Sequence, residues 1–222
     1  MVNLAKKELA KKIDHTLLKP EATPNQIVQL CKEAKQYGFY SVCVNSRYVS
    51  LAKQQLKDSS VKICSVVGFP LGAMSTKAKV EETRQAIKDG ADEIDMVIWV
   101  GGLKARLYED VKKDIRKVVE VCHKHGVLCK VIIEACLLND EEKERACKLI
   151  CEVGADFVKT STGFSSGGAT LEDVMLLKKT VRNRVKIKAA GGIKTYQQAI
   201  DMVEAGADRL GMSASVKIMT ED

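Results

Sequence analysis

Proline is scarce in this chain, with three in 222 residues, and no Gly/Ser tract interrupts it. No linker is apparent, so residues 1–222 read as one domain. No apolar run approaches the roughly 18 residues a membrane span needs, and no membrane partner is expected. None of the eight cysteines falls in Cys-x-x-Cys spacing. Most lie in apolar runs and read as reduced thiols acting as small hydrophobes, which suits a cytoplasmic location. Residues 1–12 lack the apolar core of a signal peptide and read as a short amphipathic helix. Histidines number three. His123 and His125 are two apart on a predicted helix and face different sides, so with His15 they form no metal site. The formal net charge is +7, but the lysines alternate with acids, as in Glu141–Glu142–Lys143–Glu144–Arg145. Without a basic block carrying interleaved aromatics, the charge reads as a solvated helical surface with some attraction for anions, and no nucleic-acid partner is expected.

What is present is a repeat. Gly90–Ala91–Asp92, Gly154–Ala155–Asp156 and Gly206–Ala207–Asp208 each end an amphipathic stretch and precede a short β-rich run; Gly38 and Gly126 play the same part. Glycine takes the left-handed conformation that closes a helix. Helical spacing appears over residues 25–37, 76–88, 107–125, 140–152, 171–180 and 195–204. Thr23 with Pro24, Asn139 and Thr170 are expected starts. The predicted strands are 13–17, 40–45, 62–67, 93–97, 128–134, 157–160, 185–189 and 209–211. Eight strands alternating with helices predict an α/β fold, a single (β/α)8 barrel with a short N-terminal helix. A doubly wound open sheet is the runner-up, but its Gly-x-Gly-x-x-Gly turn after the first strand is missing.

Barrel active sites lie at the C-terminal ends of the strands. The polar residues expected there are Asp14, His15, Thr16, Cys43, Asn45, Asp95, Glu134, Lys159, Thr160, Lys188, Gly191, Gly192 and Ser213. Lys159 and Lys188 each end a buried run and enter a Gly-containing loop. Desolvation and a second ammonium nearby both lower a lysine's pKa and free its lone pair for a carbonyl carbon. With Asp95 converging on the same ligand carbon, the set suits imine formation and proton transfer. Gly191–Gly192 and Gly211–Met212–Ser213 open the last two loops, where barrels frequently bind phosphate.

In order along the chain, Ile13–Asp14–His15–Thr16–Leu17, Val42–Cys43–Val44–Asn45, Glu93–Ile94–Asp95–Met96–Val97, Phe157–Val158–Lys159–Thr160–Ser161–Thr162–Gly163 and Lys186–Ile187–Lys188–Ala189–Ala190–Gly191–Gly192 resemble the deoxyribose-phosphate aldolase family. The resemblance implies reversible cleavage of 2-deoxy-D-ribose 5-phosphate to glyceraldehyde 3-phosphate and acetaldehyde, without metal or organic cofactor. It implies Lys159 as the Schiff-base nucleophile, Lys188 as the neighbouring ammonium, and Asp95 with water as the proton shuttle. It places phosphate on Gly191, Gly192 and Ser213, and lines the sugar pocket with Thr16 and Cys43; Thr160 and Gly163 join the substrate-binding set. Phe164, Ala189 and Ala214 depart from some relatives, and the first and last remove possible side-chain contacts to phosphate. The alternatives are another lysine-dependent barrel enzyme, aldolase or transaldolase-like, and a catalytically silent sugar-phosphate-binding barrel. A homo-oligomer, dimer or tetramer, is expected.

Strand parity adds one expectation. Side chains alternate along a strand, so Glu93 shares a face with Asp95, and Lys186 with Lys188. Both should point inward one layer below and pair there, with Lys130 of the fifth strand joining them.

Overall fold

The computed structural model describes residues 5–221. Residues 1–4 of the expected N-terminal helix lie outside them; the helix itself, α1, is Lys6–Ala10. There follow β1 (Ile13–Leu17), α2 (Pro24–Tyr37), β2 (Ser41–Val44), α3 (Val49–Gln55), β3 (Lys62–Val67), α4 (Thr76–Lys88) and β4 (Glu93–Val97). Then come α5 (Val100–Lys104), α6 (Tyr108–Lys124), β5 (Leu128–Ile132), α7 (Asp140–Val153) and β6 (Phe157–Lys159). The chain finishes with α8 (Leu171–Val181), β7 (Lys186–Ala190), α9 (Tyr196–Glu204), β8 (Arg209–Met212) and α10 (Ser215–Thr220). The eight strands pair in sequence order, all parallel, and β8 closes on β1. The fold is a (β/α)8 barrel, as the alternation predicts.

The helix starts have the expected chemistry. Thr23, Asn139 and Thr195 each make a capping box with the Gln or Glu three residues on, and Ser75 and Thr170 accept single bonds from the first turn. Each cap contributes about 1 kcal/mol. Gly38 and Gly154 close α2 and α7 in the left-handed conformation.

The Gly-Ala-Asp repeat does more than end helices. Asp92 Oδ2 accepts from Ile63 N at 2.9 Å, Asp156 Oδ2 from Cys129 N at 2.8 Å, and Asp208 Oδ2 from Ile187 N at 2.9 Å. In return the aspartate N–H groups donate to the carbonyls of the same three residues. Each aspartate thus clasps the start of the preceding strand, joining β3 to β4, β5 to β6 and β7 to β8.

Two helices escape the periodicity. In α3 only Val49 and Ala52 are buried, and α5 is five residues long with two glycines. Strand β5 ends two residues before Glu134, because Glu134 turns left-handed at φ 53°.

The main apolar core lies between barrel and helices. It takes the outward residues of the strands, among them Val42, Ile94, Val131, Val158, Ile187 and Leu210. Inside the barrel the apolar content is small: Leu18, Cys43, Cys64 and Val66 with Phe69 against them. The rest of the interior sets charged side chains among Val97, Ile132 and Phe157.

Candidate active site

Parity places Asp14, Asp95, Lys130, Lys159, Lys188 and Arg209 inside the barrel. All are buried. Asp95, from the middle of β4, is their hub. Its Oδ2 accepts from Lys159 Nζ at 2.8 Å and from Lys188 Nζ at 2.7 Å, and its Oδ1 from Lys130 Nζ at 2.7 Å. Cys64 Sγ donates to Oδ1 at 3.1 Å. Lys188 Nζ is also 2.5 Å from Asp14 Oδ2, an ion contact bent away from hydrogen-bond alignment. Asp14 Oδ1 accepts from Ser41 Oγ at 2.7 Å and from Arg209 at 2.8 Å.

One layer lower, Glu93 Oε2 is 2.7 Å from Lys130 Nζ and 3.1 Å from the Arg209 guanidinium, which stacks 3.4 Å over the Tyr40 ring. Glu93 and Lys130 therefore occupy the inward layer that parity predicts. Lys186 does not join it. It has the inward parity, but it begins β7 at the open lower mouth, is exposed, and rests its ammonium 5.8 Å from the Phe157 ring centre. Arg209 fills the place expected for it. Arg209 stands one residue past its Gly-Ala-Asp turn just as Glu93 does, and the same parity carries it inward.

Burial alone would raise the Asp95 carboxyl, but the ammonium groups of Lys130, Lys159 and Lys188 outweigh it and hold Asp95 well below the usual carboxylate range. Asp14 is lowered too, by Lys188 and Arg209 against the effect of burial. Burial would strip Lys188 of its proton; Asp14 and Asp95 reverse this and raise it above an ordinary lysine. Lys130 is raised in the same way by Asp95 and Glu93. Lys188 is thus a fixed ammonium.

Above this cluster, at the C-terminal ends of the strands, lies a cavity of about 340 Å³. Lys159 opens onto it, whereas Asp95 and Lys188 lie beneath its floor and do not line it. Thr16, Gly163, Gly191, Gly192 and Ser213 line it as expected. Cys43 and Thr160 do not. Cys43 packs in the small interior apolar cluster. There the neighbouring Cys64 and the Lys188 ammonium draw its thiol below the ordinary value against the effect of burial, which nothing in the sequence signals. Thr160 Oγ1 is occupied by the backbone of Ala190, accepting from its N–H at 3.1 Å and donating to its carbonyl at 3.3 Å. His15 turns outward to Glu33 at 2.8 Å, and Asn45 donates to Leu18 O. Glu134 acts one step removed. Its carboxylate accepts from Thr162 N at 3.0 Å and Thr162 Oγ1 at 2.5 Å, fixing the loop after β6.

Two further cations line the cavity, Lys19 and Lys194. Nothing but their place after β1 and β7 could have marked them in a lysine-rich sequence. Gly191 has φ +87°, and a Cβ there would lie 3.1 Å from Gly168 Cα, so the loops after β6 and β7 meet through bare backbone. Cys43, Cys64 and Asp95 bring ligand-type atoms within 4.8 Å of one another. Both Asp95 oxygens are already engaged by ammonium groups, so a cation there would have to displace them.

A buried amine that opens onto a cavity, held from below by a carboxylate and a permanent ammonium, is equipped to attack a carbonyl carbon. The description "DeoC/LacD family aldolase" belongs to the family model that matches residues 9–220. The chain belongs to the DeoC/LacD aldolase family. The chain is 57% identical over 216 residues to the deoxyribose-phosphate aldolase of Thermococcus kodakarensis, covering 96% of each. It is 58% identical over 216 residues to that of Clostridium kluyveri, covering 97% of this chain and 99% of the relative. Among solved structures, a deoxyribose phosphate aldolase from Aeropyrum pernix, described as having a unique tetrameric structure, superposes with a TM-score of 0.91. It is 34% identical, over 97% of this chain and 91% of that one. An aldolase is a carbon–carbon lyase, and the expectation of an enzyme over a silent binding barrel holds.

Proposed function

We propose that this aldolase cleaves 2-deoxy-D-ribose 5-phosphate reversibly to D-glyceraldehyde 3-phosphate and acetaldehyde, through a Schiff base on Lys159. The observation that carries the reading is the position of Lys159. Of Asp95, Lys159 and Lys188 it alone reaches the cavity, and it is bound from below by Asp95. Its neutral amine adds to C1 of the open-chain sugar, and loss of water gives the iminium. The C2–C3 bond then breaks as the C3 hydroxyl gives up its proton, and the electron pair moves into the iminium to form an enamine. Protonation at C2 and hydrolysis release acetaldehyde and free the lysine. The role of Asp95 with water is to relay these protons; the role of Lys188 is to hold Asp95 ionised. Gly163, Gly191, Gly192 and Ser213, with Lys19 and Lys194, take the phosphate, and Thr16 takes the sugar.

A second reading, another lysine-dependent aldolase with weaker phosphate preference, draws on Phe164. It lines the cavity and packs edge-on against Phe69 at 5.2 Å, giving that side an apolar rim. A homo-oligomer is proposed on the exposed apolar side chains Leu71, Met74, Trp99 and Leu107. A reducing, cytoplasmic setting is proposed on eight free cysteines, including the buried neighbours Cys43 and Cys64. Borohydride reduction in the presence of acetaldehyde tests the central assignment. The ethyl label is expected on Lys159 by peptide mass spectrometry; a label mapping to Lys188 overturns it. A kcat/KM no higher for the phosphorylated sugar than for deoxyribose would favour the second reading.

A further inference from the structure

Beneath the cavity, three carboxylates (Asp14, Glu93, Asp95) and four basic groups (Lys130, Lys159, Lys188, Arg209) form one unbroken chain of contacts of 2.5–3.1 Å. The two sets differ by one. With every group ionised, the barrel interior carries a net positive charge; with one amine neutral, it carries none. Net charge in such an interior is costly, so the cluster favours releasing one proton. Lys130 and Lys188 each touch two carboxylates, and so does Arg209, whose guanidinium does not deprotonate in proteins. Among the described residues Lys159 pairs with one carboxylate, Asp95, and shares its Oδ2 atom with Lys188. Of the three amines, Lys159 is therefore the one with the fewest carboxylate partners.

We propose that Arg209, at the opposite end of this chain from the cavity, is a positioning residue for the Schiff-base step: its permanent charge occupies Asp14 and Glu93, and so sets the charge count at which Lys159 becomes a free amine. This rests on the reading of Lys159 as nucleophile. Without Arg209, Asp14 is compensated by Lys188 alone and Glu93 by Lys130 alone. Asp95 then has only Lys159 left as its counter-ion, and Lys159 keeps its proton to a higher pH.

The groups around the two ends are these. Arg209 faces Asp14 from β1, Tyr40 ahead of β2, Glu93 from β4, Phe157 from β6 and its register neighbour Lys188 on β7. Lys186 and Asp208, with Glu8, Lys11 and Lys12 from the N-terminal segment, stand at the lower mouth, which is open to solvent. Lys159 faces Asp95 and Lys188, with Cys43 and Cys64 adjoining from β2 and β3; Cys64 keeps its proton, which it donates to Asp95, and the count takes Cys43 as a thiol although its neighbours draw it below the ordinary value.

The test is the pH dependence of acetaldehyde trapping and of deoxyribose 5-phosphate cleavage, measured on the full chain with circular dichroism to confirm folding. Arg209→Met should move the acid-side limb upward by about one pH unit, the size expected for one charge about 10 Å away at an effective dielectric constant of about 20. Arg209→Lys should leave it in place. Glu93→Gln removes a negative charge and should move it downward by a similar amount. The double variant Arg209→Met/Glu93→Gln restores the count and should return the limb to the wild-type position, although its packing is altered twice. An unmoved limb in Arg209→Met, or a double variant no nearer to wild type than either single, overturns the proposal. Should Arg209→Met fail to fold, an unmoved limb in Glu93→Gln does the same. Failure of the underlying reading looks different: the wild-type label then maps to a residue other than Lys159.

Discussion

Gly211 is a residue whose missing side chain matters. A Cβ there would lie 2.9 Å from Lys188 Cε and 3.0 Å from Ala190 Cβ. Lys188 has no room to give way, because its ammonium is held by Asp14 and Asp95 at one end and its backbone by β6 and β8 at the other. Gly211→Ala should therefore displace the ammonium from Asp95 and disturb the proposed proton relay. Misplacements of about 1 Å in such sites cost on the order of 10²-fold in rate, whereas overpacking costs about 1–3 kcal/mol in stability. The expected outcome is a kcat lowered by about 10- to 100-fold in a protein that still folds; a kcat equal to wild type would show that Lys188 has the freedom denied to it here. At this scale the sequence was legible for the convergence of Lys159, Asp95 and Lys188, since strand ends and parity bring them to one place. It was not legible for Cys43 or Thr160. A strand-end position does not say whether a side chain reaches the cavity or stops beneath it.

The elements depend on contacts that local sequence does not reveal. The glycines of the Gly-Ala-Asp repeat announce where helices end, but the aspartates act on strands 21 to 29 residues upstream. The bond from Asp208 to Ile187 N is a charge-assisted one at a half-buried rim, and Asp208→Ala should lower stability by about 1.5–3 kcal/mol. Asp208→Asn, which keeps an acceptor oxygen, should cost less. Urea unfolding monitored by circular dichroism measures both; equal stability of the alanine variant and wild type would remove the clasp from the account. Helices α3 and α5 were missed for a related reason: short segments with few buried residues are held by their neighbours rather than by their own periodicity. In α5, Gly102 lies against Trp99, where a Cβ would come within 2.3 Å of the indole ring.

Across the whole molecule, the apolar core and the charged core occupy separate shells, and strand parity keeps them apart. That is why Glu93 and Lys130 could be placed inward from the sequence: period two gives direction. It does not give depth, so Lys186, with the same parity as Lys188, emerges at the mouth while Arg209 closes the layer. The buried pair Lys79–Asp114, at 2.6 Å between α4 and α6, shows the same limit on the helical side. Nothing in Lys79's sequence surroundings separates it from the solvated lysines of its helix.

The aspartate clasps also decide where this barrel tolerates division. They join β3 to β4, β5 to β6 and β7 to β8, and none crosses from β4 to β5. A break at the Gly126 turn leaves every clasp within one fragment, whereas a break at the Gly90 turn parts Asp92 from Ile63. Co-expressed fragments 1–125 and 126–222 should therefore reassemble into active enzyme more readily than 1–89 and 90–222, as read by recovered activity at equal fragment concentrations. On that comparison the six strands from β3 to β8 form two-strand staves, and their seams are as much a part of the architecture as the closure of the barrel.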